Sequence, residues 1–195
     1  MQIKDCLLPG IKLVTLSTYR DERGQFSEWF RASALGAALK VQFVQDNFSR
    51  SNPGVFRGLH AQFLPAQSKL IGVSRGKILD IVLDLRHGSP TFGKTASIEL
   101  DELNRELLWI PAGFAHGFFV LGDQAADVFY KCDVEYSPQG EIGIAWDDHE
   151  LGLKEVVSNP ILSKRDGNLL SWAEYLKEPR FEYTGDGGCL PLTKS

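Results

Sequence analysis

A cation, an imidazole and an amide lie within six residues of one another, at Arg57, His60 and Gln62. Alternate side chains of an extended strand point to the same side, so Gly58, His60 and Gln62 are predicted to share one face, and Arg57 and Leu59 the other. An inward-facing histidine can take up a proton near neutral pH and so act as a base. A hydrogen-bonded structural histidine is the alternative for His60 taken alone.

His60 is accompanied by further polar residues that have apolar strand neighbours. These are Lys69, His116, Tyr130 and Tyr136. Burying a polar group is costly unless it finds a partner, so several such positions indicate a cavity lined by these side chains. The alternative is a set of edge or rim residues in contact with solvent.

A metal site is a separate hypothesis, because His60 and His116 on strands are compatible with a metal-dependent barrel enzyme. Residue 62 is Gln62, however, and not the second histidine that a His-x-His ligand pair needs. Motifs for zinc fingers, dinucleotides, nucleoside triphosphates and serine hydrolases are absent from the sequence. We therefore predict a site with no metal ion and no other cofactor.

The elements that must position these side chains are predicted to be short strands separated by Gly, Pro, Asn or Asp, as in an antiparallel sandwich or barrel. Two short peripheral helices are predicted at Ala32–Leu39 and at Ser171–Lys177, where Ser171 and Glu174 could form a capping box. The predicted strands are Val41–Asn47, Gln67–Ser74, Gly76–Asp84, Ala96–Leu100, Leu107–Ile110, Gly117–Val120 and Asp127–Val134.

Length and composition narrow the class of protein. A chain of 195 residues fits one domain, and a net charge of -4 lacks the basic field of a nucleic-acid binder, so a small-molecule partner is expected. Cys6, Cys132 and Cys189 are an odd number of widely spaced cysteines, which favours a reducing compartment. Because no stretch approaches 18 apolar residues, we expect no membrane association and a cytoplasmic location.

Taken together, these segments resemble dTDP-4-dehydrorhamnose 3,5-epimerases and their sugar-nucleotide relatives over roughly residues 2–170. The resemblance implies an all-β, cupin-type double-stranded β-helix, that is, a jelly-roll barrel. It also implies a homodimer in which N-terminal segments cross between subunits. We expect one domain over residues 1–183 and a flexible tail over 184–195. The matching segments are 21–26, 45–47, Arg57-Gly58-Leu59-His60, Lys69-Leu70, Asp84-Leu85-Arg86, 89–93, 110–118, Tyr130-Lys131, Tyr136-Ser137-Pro138, Leu162-Ser163 and Asp166.

The resemblance implies a role for each of four residues. His60 would be the general base, Asp166 the residue that orients it, Lys69 the stabiliser of enolate charge and Tyr130 the acid on the opposite face of the sugar ring. The implied reaction is cofactor-independent 3,5-epimerisation of a nucleotide-linked 4-keto-6-deoxyhexose, converting dTDP-4-dehydro-6-deoxy-D-glucose to dTDP-4-dehydro-L-rhamnose. Protons next to the C4 ketone are removable because the charge spreads onto the carbonyl oxygen.

Eight further residues are implied to bind the substrate. Some match positions around the sugar and diphosphate, including one arginine that could come from the partner subunit, and guanidinium groups suit phosphate oxygens. The others match positions that hold the base and sugar of the nucleotide; for Phe26 and Tyr136, ordinary core packing is the alternative. The first group is Arg57, His116 and Arg23, and the second is Phe26, Glu28, Gln45, Asn47 and Tyr136.

The chain departs from the family pattern at several positions, which leaves alternative functions open. Ala61, Gly72 and Arg165 stand where the family usually has tyrosine, arginine and lysine, and the tail beyond Arg180 has no recognised counterpart. One alternative is an enzyme that inverts only C3 or only C5, on a dTDP-, CDP- or GDP-linked sugar. Others are a non-catalytic cupin that binds a sugar nucleotide and a metal-dependent cupin.

Overall fold

The computed structural model describes residues 1–192, which fold mainly as β-strands. The strands are β1 (Gln2–Asp5), β2 (Lys12–Thr15), β3 (Thr18–Asp21), β4 (Gly24–Ser27), β5 (Gln45–Ser51), β6 (Phe56–Gln62), β7 (Lys69–Arg75), β8 (Lys77–Asp84), β9 (Arg86–His87), β10 (Thr95–Asp101), β11 (Glu106–Ile110), β12 (Phe114–Val120), β13 (Ala126–Cys132), β14 (Glu141–Gly143), β15 (Phe181–Tyr183) and β16 (Cys189–Pro191).

Two large antiparallel sheets form the body of the barrel. One has the strand order β1-β2-β11-β7-β13-β5 and the other the order β10-β8-β12-β6-β14. A hairpin of β3 and β4 and a small sheet of β16, β15 and β9 complete the described strands. The predicted all-β jelly-roll architecture is confirmed.

Three hydrophobic clusters hold the two large sheets in place. The cluster between them draws on both sheets, for example Ile71 and Val128 from one and Val82 and Phe118 from the other. A second cluster lies on the outer side of the five-stranded sheet and includes Trp172. The third covers the outer side of the six-stranded sheet with the segment 29–43.

The two predicted helical segments are present, in shortened form. A π-helical turn at Ala32–Gly36 leads into α1 (Ala37–Leu39), and α2 spans Trp172–Lys177. Ser171 and Glu174 form the predicted capping box, with Glu174 accepting from the Ser171 backbone N–H at 2.8 Å. Single 3₁₀ turns lie at Pro138–Gly140, His149–Leu151, Leu153–Glu155 and Asp166–Asn168.

Most predicted strands are confirmed with shifts of a few residues at their ends, and one is displaced. The prediction Val41–Asn47 is wrong at its start, because the paired strand is Gln45–Ser51. Val41 and Phe43 instead pack in the outer cluster, where Phe43 meets Trp109 edge to face. Apolar composition alone does not distinguish such a covering segment from a strand.

The buried ion pair of Arg86 and Asp84 holds segments near both ends of the chain together. Arg86 and Asp84 have fully buried side chains and make two hydrogen bonds, of 2.8 and 2.7 Å. The same guanidinium donates to the carbonyl oxygens of Pro9 and Gly187, at 3.1 and 2.7 Å. Burial opposes ionisation of Asp84, but the hydrogen bonds from Arg86, Thr91 and Ser89 hold the pKa of this carboxyl below its usual range.

Residues 181–191 form a hairpin that crosses the predicted boundary between domain and tail at residue 183. Strand β15 pairs with β16 in an antiparallel manner and with β9 in a parallel manner. Residues 184–192 of the predicted tail are therefore structurally continuous with the domain, while 193–195 lie outside the described residues. No helix among residues 1–192 is long and apolar enough to span a membrane.

The departure at Gly72 has a packing explanation. A Cβ atom at this position would lie 2.5 Å from Cδ2 of Leu107 and from Cζ of Phe129, and 2.9 Å from Cζ3 of Trp29. Trp29 and Phe129 meet edge to face over the strand, with ring centroids 4.3 Å apart. An arginine side chain has no room at this position.

We predict that Gly72→Ala lowers the free energy of unfolding by about 1–3 kcal/mol, because it overpacks this aromatic cluster. The measurement is urea denaturation followed by tryptophan fluorescence. Gly167→Ala is the control, since no atom lies within 4 Å of its added Cβ, and it should change stability by less than about 0.5 kcal/mol. Equal effects of both variants would contradict this packing account.

We further predict that Arg86→Met lowers the free energy of unfolding by about 3–5 kcal/mol, because it leaves the buried Asp84 carboxylate without its partner. The same denaturation measurement applies. The control is Arg75→Met, which alters an exposed arginine. A loss below about 1 kcal/mol would mean that the pair is not the anchor we describe.

Candidate active site

A cavity of about 360 Å³ opens between the two large sheets and contains most of the polar residues expected there. Seven of the twelve predicted site residues line it: His60, Lys69, Tyr130, Asp166, Arg57, His116 and Tyr136. They come from strands β6, β7, β12 and β13 and from two loops. The expectation of a lined cavity is met, and four lining residues were not predicted: Ser49, Phe118, Glu141 and Arg165.

His60 and Asp166 form a hydrogen-bonded pair, although 106 positions separate them in the chain. Nε2 of His60 lies 2.6 Å from Oδ1 of Asp166. Ser163 donates to the second carboxylate oxygen at 2.8 Å. Burial opposes ionisation of Asp166, but these two hydrogen bonds outweigh it and hold the pKa of the carboxyl below its usual range. An ionised Asp166 accepts the Nε2 proton, so Nδ1 of His60 is left as the basic nitrogen.

The loop that carries Asp166 is fixed at both of its ends. On one side, Ile161 exchanges backbone hydrogen bonds with residues 54 and 56, at 2.8 and 3.0 Å. On the other side, Leu170 bonds to residues 143 and 145, at 3.1 and 2.7 Å. Backbone hydrogen bonds next to β6 and β14 therefore hold the His60–Asp166 pair in place.

Arg57 is a correction to the alternation predicted for β6. Leu59 and Ala61 pack outside the sheet as expected, yet Arg57 lines the same cavity as His60. The pairing with β12 shifts between His60 opposite His116 and Arg57 opposite Phe118. Three residue steps on β6 thus match two on β12, and such an irregularity changes the side to which a side chain points. Arg57 also donates to Ser51 at 2.8 Å.

Lys69 is a half-buried cation, and none of the described residues forms an ion pair or hydrogen bond with its ammonium group. Burial lowers the pKa of Lys69, while Cys132, Glu141 and Asp80 act in the opposite direction. A cation that faces a cavity in this way can interact strongly with negative charge on a bound molecule, because little water screens it.

Tyr130 faces the same cavity from β13 and is half-buried. Burial raises the pKa of its hydroxyl, and the nearby Cys132 and Glu141 raise it further. The phenol therefore stays protonated at neutral pH and can give a proton to a strong base. A histidine with a carboxylate partner, a lysine and a tyrosine thus surround one cavity.

The unpredicted residues Glu141 and Arg165 form a network with Tyr136. One carboxylate oxygen of Glu141 accepts from the Tyr136 hydroxyl at 2.5 Å and from the Arg165 guanidinium at 2.6 Å. Burial opposes ionisation of Glu141, but these two partners keep its pKa below the usual range. The signal for Glu141 was a lone carboxylate before the apolar pair Ile142 and Ile144, which the strand prediction did not include.

Gln45 and Asn47 lie on the neighbouring strand β5 and do not line the cavity itself. Gln45 accepts from the backbone N–H of Tyr136 at 2.8 Å and donates to Asn47 at 3.0 Å. Asn47 stands opposite Tyr130 in the sheet. These two amides therefore border the cavity on the side of Tyr136.

Arg23, Phe26 and Glu28 are not brought into this cavity by the fold of one chain. Arg23 pairs with Asp21 on the β3–β4 hairpin, at 2.5 Å, and lines a separate shallow groove with Phe26. Glu28 lies 3.1 Å from Arg31 in another ion pair. The sequence analysis allowed only Arg23 a place in the partner's site and matched Phe26 and Glu28 to positions that hold the nucleotide. The substrate-binding roles of all three residues stay predictions.

Gln62 has a structural role instead of a ligand role. Its amide donates to the carbonyl oxygens of Pro65 and Glu135 at 3.0 and 3.1 Å, and accepts from the Ser137 backbone at 2.7 Å. Within residues 1–192, no three His, Cys, Asp or Glu side chains cluster as metal ligands would. That the site uses neither a metal nor another cofactor stays a prediction.

Comparison with known proteins gives a consistent result. The family model described as dTDP-4-dehydrorhamnose 3,5-epimerase matches residues 5–174. The Shigella flexneri dTDP-4-dehydrorhamnose 3,5-epimerase is 44% identical over 83% of this chain and 90% of its own length. The Neisseria gonorrhoeae protein of the same description is also 44% identical, over 89% of this chain, but the match spans only 53% of that protein.

Solved structures of similar fold include epimerases of different specificity. NovW from Streptomyces spheroides, a 4-keto-6-deoxy sugar epimerase, matches with a TM-score of 0.88 and 30% identity over 96% of both chains. The Legionella pneumophila dTDP-6-deoxy-D-glucose-3,5-epimerase, solved with dTDP-4-keto-L-rhamnose, has a TM-score of 0.81 and 40% identity over 86% of this chain and 90% of its own. ChmJ from Streptomyces bikiniensis, a 3'-monoepimerase, has a TM-score of 0.79 and 31% identity over 86% of each chain.

The match to NovW covers 96% of the 195-residue chain and therefore includes residues beyond Arg180. The family model, the relatives and the arrangement of the site residues all indicate the same family. This chain belongs to the dTDP-4-dehydrorhamnose 3,5-epimerase family.

Proposed function

We propose that the protein inverts C3 and C5 of a dTDP-linked 4-keto-6-deoxyhexose by cofactor-independent proton transfer. The observation that carries this proposal is the 2.6 Å contact of His60 with the ionised Asp166, in one cavity with Lys69 and Tyr130. The substrate class is supported by relatives that are epimerases of nucleotide-linked keto sugars.

The first step is removal of a proton from a carbon next to the C4 ketone. Nδ1 of His60 takes this proton, and Asp166 stabilises the imidazolium that forms through its bond to Nε2. The electron pair of the C–H bond moves into the ring, and negative charge develops on the ketone oxygen. The ammonium of Lys69 stabilises this enolate, because its charge has no ion-pair partner among residues 1–192.

The second step is return of a proton from the other face of the ring. The hydroxyl of Tyr130 supplies it, since its raised pKa keeps the phenol protonated at neutral pH. Solvent then restores the proton to Tyr130 and removes the one on His60. Inversion of C3 and of C5 can use the same groups, because both carbons are adjacent to the C4 ketone.

The remaining predicted residues are assigned to the nucleotide. Arg57 and His116 would contact the sugar and diphosphate, and Tyr136 would stack on the base beside Gln45 and Asn47. Tyr136 suits that role because its ring is about half exposed while its hydroxyl is fixed by Glu141.

We also propose a homodimer in which the β3–β4 hairpin of each subunit reaches the partner's site with Arg23, Phe26 and Glu28. Three features support it. The hairpin pairs with no other strand of the described chain, β5 is a free edge of the six-stranded sheet, and Phe26 and Phe48 are 68% and 64% exposed. Unpaired edges and large exposed aromatic residues are typical of interfaces.

An enzyme that inverts only one carbon is the second candidate, since the relative ChmJ is a 3'-monoepimerase. A CDP- or GDP-linked substrate also stays an alternative, and so does a binding protein without activity. The cytoplasmic location and the lack of nucleic-acid and membrane partners remain predictions from the sequence.

Tyr130→Phe is predicted to separate proton exchange from inversion. His60 can still remove a proton and return deuterium to the same face in deuterated water, whereas inversion should fall by about 10²–10⁴-fold without the acid. His60→Ala should lose both processes. The measurement is proton NMR of the substrate together with analysis of the product's configuration.

The control for this pair is Tyr183→Phe, which changes a tyrosine that lies outside the cavity beside Arg86. It should behave like the unaltered protein. If exchange and inversion fall by the same factor in Tyr130→Phe, Tyr130 is not the acid for the second face.

Mixing two impaired variants tests the shared site. Arg23→Ala is expected to be weakly active and His60→Ala inactive, and a refolded one-to-one mixture should recover about one quarter of the active sites. Half of the dimers would then be mixed, each with one intact site. No recovery in a mixture shown to exchange subunits would contradict the crossing of Arg23 between subunits.

A further inference from the structure

A second histidine and carboxylate pair lies deeper in the barrel than the His60 dyad. Nε2 of His116 is 2.8 Å from Oδ2 of Asp80. His116 is 8% exposed and lines the cavity, whereas Asp80 is fully buried behind it on β8. The proposed mechanism gives Asp80 no role.

The second oxygen of this carboxyl, Oδ1, is buried and has no hydrogen-bond partner among residues 1–192. A buried carboxylate with an unpaired oxygen is much more costly than a neutral carboxylic acid in the same place. The titratable groups that act on Asp80 are His116 from β12 and Lys69 from β7, and the opposite residue on β10 is the apolar Ile98. Burial outweighs both groups and raises the pKa of Asp80.

A neutral Asp80 also fits the role proposed for Lys69, although the Lys69 cation by itself favours the ionised form of Asp80. Lys69 has no ion-pair partner among residues 1–192, which leaves its charge for the enolate oxygen. An ionised Asp80 would weaken the field of Lys69 in the cavity and would oppose the negative charge that forms there. A neutral acid does neither.

We propose that Asp80 is a neutral carboxylic acid whose hydroxyl donates to Nε2 of His116 and so fixes His116 as the Nδ1–H tautomer. The role of Asp80 in catalysis rests on the proposed function. Asp80 is then a positioning residue that acts through His116. Buried acids that stay neutral in order to donate a hydrogen bond are known in enzyme sites.

The consequence is a fixed hydrogen-bond donor in the cavity. Nδ1 of His116 has no partner among the described residues, so its N–H is available to an acceptor oxygen of the bound sugar or diphosphate. The opposite arrangement holds at His60, where the ionised Asp166 accepts from Nε2 and leaves Nδ1 as a base. The two pairs thus give one imidazole that accepts a proton and one that donates a hydrogen bond.

The first test is ¹⁵N NMR of the ligand-free protein near pH 7, with the four histidines assigned by single substitution. We expect His116 to carry its proton on Nδ1 and none on Nε2. In Asp80→Leu, which removes the donor, His116 should gain the Nε2 proton that free imidazole prefers. A proton on Nε2 of His116 in the unaltered protein overturns the proposal.

The second test is infrared difference spectroscopy of the unaltered protein against Asp80→Asn. A carbonyl stretching band of a protonated carboxyl group should be present in the unaltered protein and lost in the variant. Its absence overturns the proposal even where Asp80→Leu fails to fold. Neither measurement needs substrate, so failure here is distinguishable from failure of the epimerase assignment, which the His60→Ala exchange experiment tests.

The catalytic role is tested by the rate of deuterium exchange in Asp80→Leu. Loss of one fixed donor is expected to lower the rate by about 10- to 100-fold, with the circular dichroism spectrum unchanged. Restoration by Asp80→Asn, whose amide N–H can donate to the same nitrogen, would support positioning through His116. An unchanged rate in a Leu variant that has lost the Nδ1–H tautomer would overturn it.

Discussion

The hydrogen bond between His60 and Asp166 is the contact on which the rest of the site depends. It joins a central strand of one sheet to a loop 106 positions later, and both ends of that loop are held by backbone bonds to residues beside β6 and β14. Because Asp166 is ionised, the bond decides which nitrogen of His60 is basic. Without this contact the cavity would hold a cation and a phenol, but no oriented base.

Apolar and polar side chains of the same strands occupy different parts of the barrel. Residues such as Ile71, Val120 and Val128 fill the space between the sheets, and Lys69, His116 and Tyr130 project from the same strands into the cavity. Burial lowers the pKa of the Lys69 ammonium and raises the pKa of the Tyr130 hydroxyl, so the ammonium loses its proton more readily and the phenol less readily than in water. The pKa of each of these groups therefore depends on how deeply its strand places the side chain in the barrel.

Strand periodicity and turn residues were sufficient to predict the sandwich and most of the central strands. They failed where tertiary context decides: Val41 and Phe43 cover a sheet instead of joining it, and an irregularity in β6 turns Arg57 towards the cavity. The resemblance supplied His60, Lys69, Tyr130 and Asp166, which do assemble. Glu141 and the Asp80 pair were missed, because isolated carboxylates in strands carry no periodic signal.

The most direct test of the central claim is to incubate the purified protein with dTDP-4-keto-6-deoxyglucose in deuterated water and count the carbons that gain deuterium. The account predicts incorporation at both C3 and C5, with inverted configuration at each. Incorporation at one carbon would contradict double epimerisation and favour a monoepimerase. No incorporation at either carbon would contradict the assignment of this sugar nucleotide as substrate.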